Sequence, residues 1–157
     1  MDAHAPRPDA VADRRAEASR ILLVGGALGV AAAAYLLFLR HRTDYSGHLL
    51  AGYGATLGAL GLLPFLCPRA AWRRLGPAFV TLGTLGCVAA GLALEASVFR
   101  LAAFDPVDAC NQSLGAALAG LSVLLVATPY RPPPATVAVG VLLSAAATAA
   151  GFLLAFH

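Results

Sequence analysis

Past residue 20 this chain of 157 residues carries only four carboxylates, Asp44, Glu95, Asp105 and Asp108, and it has no lysine at all. Asp44 and His48 are four residues apart, so on a helix they share a face and can act as an imidazole–carboxylate pair. Asp108 is followed at three, four and seven residues by Asn111, Gln112 and Gly115, which lines two turns of one helix face with polar groups. Glu95 stands in an otherwise apolar stretch. A carboxylate held in hydrocarbon costs roughly 2.5–3.5 kcal/mol by insertion scales, so a site is the default reading for it. Together with the cationic donors Arg100, Arg40 and Arg42, such a set can orient a polar or phosphate-bearing ligand, or move a proton.

Each member also has an ordinary explanation. Asp108 is placed to cap a helix, and Asp105 before Pro106 reads as turn chemistry. Asp44 beside His48 can be a loop pair at headgroup level, and Arg100 either anchors to lipid phosphate or neutralises Glu95 or Asp108. Glu95 is the hardest of these to explain without a function.

The elements that must position these residues are apolar. The composition is 59% hydrophobic and 12% charged, with a mean hydropathy of +0.76, which describes a chain that cannot hide its apolar surface in water. Five runs are long enough to cross a hydrocarbon core as helices: Ile21–Leu39, Gly47–Leu66, Pro77–Phe99, Ala109–Ala127 and Ala135–Phe156. Punctuation separates them, with Arg40-His41-Arg42 after the first, Cys67-Pro68-Arg69 after the second, Asp105-Pro106 before the fourth and Pro132-Pro133-Pro134 before the fifth. The expected fold is all-α, one five-helix transmembrane domain over 21–157 behind a tail at 1–20.

Basic residues in short loops favour the cytoplasmic side. With the amino terminus inside, eight of the eleven arginines fall inside and three, Arg40, Arg42 and Arg100, fall outside. The tail is then cytoplasmic, and all four carboxylates beyond it reach the extracytoplasmic face of the cell membrane. A cleavable signal peptide over Arg14–Leu39 is the rival reading, but the apolar stretch is too long and lacks a cleavage context. The loop from Pro68 to Arg74 reads as an interfacial anchor with Trp72 at headgroup depth. Cys67, Cys87 and Cys110 fall at different depths and read as buried small apolar groups without a disulfide. Small-residue spacings at Gly54/Gly58, Gly115/Ala119 and Ala147/Gly151 imply close helix contact but no particular interface.

The run Asp44-Tyr45-Ser46-Gly47-His48 at the head of a helix, Glu95 near the end of the next, and Phe104-Asp105-Pro106-Val107-Asp108 leading to Gly115 together resemble the VanZ-like family of small membrane proteins. The likeness spans Asp44 to about Gly120. It departs from the family pattern at Tyr45 and Val98, where the family usually has lysine and often glutamine. It departs again at Arg100, about two positions early, and at Gln112, the amide four residues after Asp108. The resemblance implies a bacterial cell-envelope protein, in a family named for a member associated with resistance to the glycopeptide antibiotic teicoplanin.

Three functions remain open at this stage. The outer cluster of Asp44, His48, Glu95, Arg100, Asp108, Asn111 and Gln112 binds a polar or lipid-linked envelope molecule such as a cell-wall precursor. Alternatively the chain is a membrane-embedded hydrolase or transferase, with His48 as acid or base and Glu95 or Asp108 as its partner or as a ligand for a hard metal ion. In the third reading the polar groups only cap helices and the protein is a structural component. The sequence carries no metal-spacing signature and no nucleophile motif, and it names no cofactor. Membrane lipid is the expected partner. Nucleic acid is disfavoured because the arginines follow membrane sidedness and form no single basic patch, and a transporter is disfavoured because the spans offer no polar path through the middle and no inverted repeat or interrupted helix.

Overall fold

A computed structural model of the chain describes residues 16, 19–20, 24, 27–28, 30–31, 33–35, 37–97, 104–128 and 132–155. The described residues are helical apart from short connections, and none is in a strand. The all-α expectation therefore holds. Every described residue between 24 and 38, within the first run, is helical, and the chain then turns at Arg40 and His41.

Helix α1 spans Thr43–Gly61 and leads through Leu62 into a single turn, α2, Leu63–Leu66. Leu62 keeps right-handed dihedrals, so the break is slight and the two form one apolar stretch, Thr43–Leu66. It falls where Pro64 brings a nitrogen that cannot donate to the helical ladder. Helix α3 covers Arg69–Ser97, α4 Pro106–Ala127 and α5 Pro134–Ala155. The last two open on proline, whose missing N–H costs nothing in a first turn. The stretch Thr43–Leu66, α3, α4 and α5 are each long and apolar enough to cross a membrane. The chain is a multi-pass membrane protein in architecture.

Helix α1 lies at the centre, packed along α5 on one side and α4 on another, while α3 lies against α4. Glycine makes the first two contacts possible. A Cβ at Gly52 or Gly115 would lie against the backbone carbonyl oxygen of Gln112 or Leu49, and a Cβ at Gly151 would meet the backbone of Gly47 and Ala51. In lipid, where no hydrophobic force drives helices together, such close backbone approach supplies the dispersion contact that does. The small-residue spacings thus become specific: Gly54, Gly58, Ala147 and Gly151 serve α1–α5, and Gly115 serves α1–α4. Large side chains such as Leu82, Leu142 and Leu153 point outward at more than 60% exposure, as a lipid-facing surface requires.

Three sequence expectations need correction. The third helix begins at Arg69, not Pro77, because Pro68 supplies the first carbonyl acceptor, to Trp72 N at 2.9 Å, and Pro77 is accommodated inside the helix. Trp72 is no headgroup anchor, since it is fully buried. It packs with Leu60, Val80, Val123 and Ala127, and its indole N–H donates to the Ala127 carbonyl at 3.0 Å. A ring with one polar atom can be buried once that atom is paired. The cysteines are not in a disulfide, but they are not buried either, Cys110 being exposed and the other two half-buried.

Candidate polar site at the carboxylate end

Helix α4 sets the site. Asp105 takes extended dihedrals and its Oδ1 accepts from Val107 N at 2.8 Å and Asp108 N at 3.4 Å, so Asp105 is the cap. This corrects the sequence expectation that Asp108 caps the helix. The Asp-Pro pair explains it: Asp105 is held extended before Pro106, and Pro106 occupies the first helical position. Asp108, released from capping, turns its carboxylate inward.

There it meets His48. His48 Nε2 lies 3.5 Å from Asp108 Oδ2, with 20% and 16% of the two side chains exposed. The expected Asp44–His48 pair does not form. Asp44 is instead engaged by Arg42, whose Nη2 donates to Oδ2 at 3.0 Å and whose Nε donates to Oδ1 at 3.2 Å. The guanidinium also sits 4.0 Å over the Tyr45 ring, and the hydrogen bond to Asp44 raises its pKa above the ordinary value. Arg42 and Asp44 form an exposed rim; His48 and Asp108 lie below it.

The register of α3 against α4 places Glu95. Gly91 faces the Gln112 side chain, Thr84 faces Gly120, and Val80 packs with Val123, so the helices run antiparallel. One turn outward from the Gly91–Gln112 contact on each helix, Glu95 comes level with Asp108. Glu95 is 4% exposed. Its Oε2, together with Asp108 Oδ1 and Asn111 Nδ2, is buried without a hydrogen-bond partner. Asn111 is held through its other amide atom, Oδ1, which accepts from the Tyr35 hydroxyl.

Of the residues singled out from sequence, His48 and Asp108 are in contact, while Glu95, Asn111 and Gln112 lie at the same end of the bundle. Asp44 lies at the rim, and Arg100 lies outside the described residues. Two contributors were missed. Tyr35 carries the only hydroxyl of the first run, which could have drawn notice. Gly91 makes room for the Gln112 side chain, and nothing in its local sequence distinguishes it from the other glycines. Among the described residues no three His, Cys, Asp or Glu side chains come together as a metal-holding group.

Two buried carboxylate oxygens and one amide nitrogen, with both of its N–H donors, stand unpaired at this end of the bundle. The oxygens accept and the amide donates, so a matching group brings at least two donors and one acceptor, as adjacent hydroxyls do. No family model, no curated protein and no solved structure matches this chain.

Proposed function

We propose that the chain is a VanZ-like cell-envelope membrane protein whose carboxylate end faces the extracytoplasmic side and binds the polar head of a lipid-linked envelope molecule. The observation that carries this is the set of buried, unpartnered atoms at Glu95, Asp108 and Asn111. Leaving a buried polar group unmade costs about 1–3 kcal/mol each, so three at one end of a small bundle are retained for something that completes them. Hydroxyls of a saccharide head fit that pattern of acceptors and donor better than a bare phosphate does, because Arg42 is already committed to Asp44.

The test uses the purified protein in lipid nanodiscs and a polyprenyl-linked disaccharide. Saturable binding is expected, weakened about tenfold or more by Glu95→Gln and by Asp108→Asn at unchanged melting temperature. Absence of binding, or equal binding by Glu95→Gln, removes the proposal. In the same reading, expression in a susceptible bacterium raises the tolerated concentration of teicoplanin, and Glu95→Gln abolishes that rise.

The His48–Asp108 contact favours a second reading, a hydrolase or transferase acting on the same head. Asp108 orients the imidazole through Nε2, leaving the other ring nitrogen to take or give a proton. Binding retained with turnover lost in His48→Gln distinguishes the enzyme from the receptor.

A further inference from the structure

The opposite end of the bundle holds a different kind of space. There the first run, α1, α4 and α5 surround a cavity of about 410 Å³, within the 300–1,000 Å³ range of small-molecule sites. Its walls include Val24, Leu28, Leu57, Val123, Val139 and Leu143. Two of its few polar atoms are already matched to each other, the Tyr53 and Ser122 hydroxyls lying 3.3 Å apart, and Ser122 also donates to the Leu118 carbonyl at 2.8 Å. Thr136, in the first turn of α5, is the other hydroxyl of the lining. A space this apolar gives water few partners and favours hydrocarbon.

Its dimensions and charge specify the hydrocarbon. The lining runs from Gly61 and Ala135, at the helix ends, to Tyr53 and Leu143 in mid-helix. Those eight residues of helix rise about 12 Å, close to half of a hydrocarbon core of roughly 30 Å, the depth of one leaflet. Around this end stand the exposed Arg69, Arg73 and Arg74, and also Arg20, four residues before Val24. Among the described residues every carboxylate lies at the other end. The arginine-bearing turn of α3 is tied to the cavity wall, because Trp72 donates to the carbonyl of Ala127, which lines it. Guanidinium groups beside an apolar slot one leaflet deep match a phosphate with a chain attached.

We infer that this cavity holds one acyl chain of an anionic phospholipid drawn from the leaflet at the arginine end. It is a lipid site distinct from the carboxylate-end site and does not depend on it.

Trp72 is the only tryptophan, and it lies beside the cavity wall, so its fluorescence reads occupancy. The protein is placed in phosphatidylcholine vesicles, and phosphatidylglycerol with brominated acyl chains is titrated in. Saturable quenching is expected, with about tenfold more brominated phosphatidylcholine needed for the same effect. Gly61 and Gly140 line the cavity and a Cβ at either meets no neighbouring element within 4 Å, so Gly140→Phe and Gly61→Phe are two independent ways to set a ring at the cavity wall. Either variant should abolish the saturable phase at unchanged melting temperature, and R73Q/R74Q should erase the preference for phosphatidylglycerol. Quenching that never saturates, a saturable phase that survives both phenylalanines, or equal response to the two lipids overturns the inference. So does a dimer that excludes brominated lipid, which would place a second copy over the cavity.

Discussion

At the scale of single residues, the telling quantity is what Glu95 lacks. A buried carboxylate retained for stability has both oxygens satisfied, because an orphaned acceptor opposes folding. Glu95 Oε2 has no partner, so Glu95→Gln gives up no hydrogen bond there and should unfold at the same temperature, with none of the loss of about 2 kcal/mol that a satisfied buried carboxylate would show. A loss of that size in a detergent unfolding titration would make Glu95 structural. His48 and Asp108 are more modest. Part-exposed and 3.5 Å apart, they should show a coupling of about 0.5–1 kcal/mol in a cycle of His48→Ala and Asp108→Ala. Coupling indistinguishable from zero would mean the contact organises nothing. Residue types and spacing made Glu95, His48 and Asp108 legible in the sequence, since each is rare in an apolar chain. The pairing was not legible, because Asp44 and Asp108 lie on different helices and only the packed bundle decides which one His48 meets.

At the scale of helices, glycine position decides which substitutions the fold tolerates. A Cβ at Gly115 or Gly52 would press on backbone of the neighbouring helix, which cannot rotate away, whereas one at Gly61 meets nothing. Gly115→Ala and Gly52→Ala should therefore each cost about 1–3 kcal/mol, and Gly61→Ala should be neutral or stabilise by up to about 1 kcal/mol. Equal stability of all three in the same titration would show that α1 and α4 are not in the close contact described. Trp72 offers a second measure at this scale. Trp72→Phe keeps an aromatic but smaller ring and drops the hydrogen bond to Ala127, at about 1–3 kcal/mol, and Trp72→Ala costs about 3–5 kcal/mol. An anchor at headgroup depth would show little change for either. Helix existence was readable from the apolar runs, but the start of α3 was not. The apolar run begins only at Pro77, beyond the charges of Arg69, Arg73 and Arg74. The burial of Trp72, which draws the chain into the bundle from Arg69 onward, depends on the distant Ala127 carbonyl.

At the scale of the molecule, the fold divides charge by end. Described carboxylates gather where α1 and α4 begin, and the cavity and most described arginines gather where they finish. The alternation follows from four stretches long enough to cross a membrane joined by short connections, so Arg40 and Phe104 must share one compartment and Arg73 and Pro132 the other. Which compartment is which rests on the arginine excess, a bias set at insertion and not by packing. Single cysteines at these four positions, in a chain whose Cys67, Cys87 and Cys110 are replaced by alanine, separate the two questions. With a membrane-impermeant maleimide applied to intact cells, Arg40→Cys and Phe104→Cys should label, and Arg73→Cys and Pro132→Cys should label only after permeabilisation. The reverse pattern would keep the fold and turn the polar site toward the cytoplasm, ending its assignment to an envelope molecule. Labelling of Arg40→Cys without Phe104→Cys would mean that α1 and α4 do not enter from the same side, and the juxtaposition of His48 with Asp108 would fall with it.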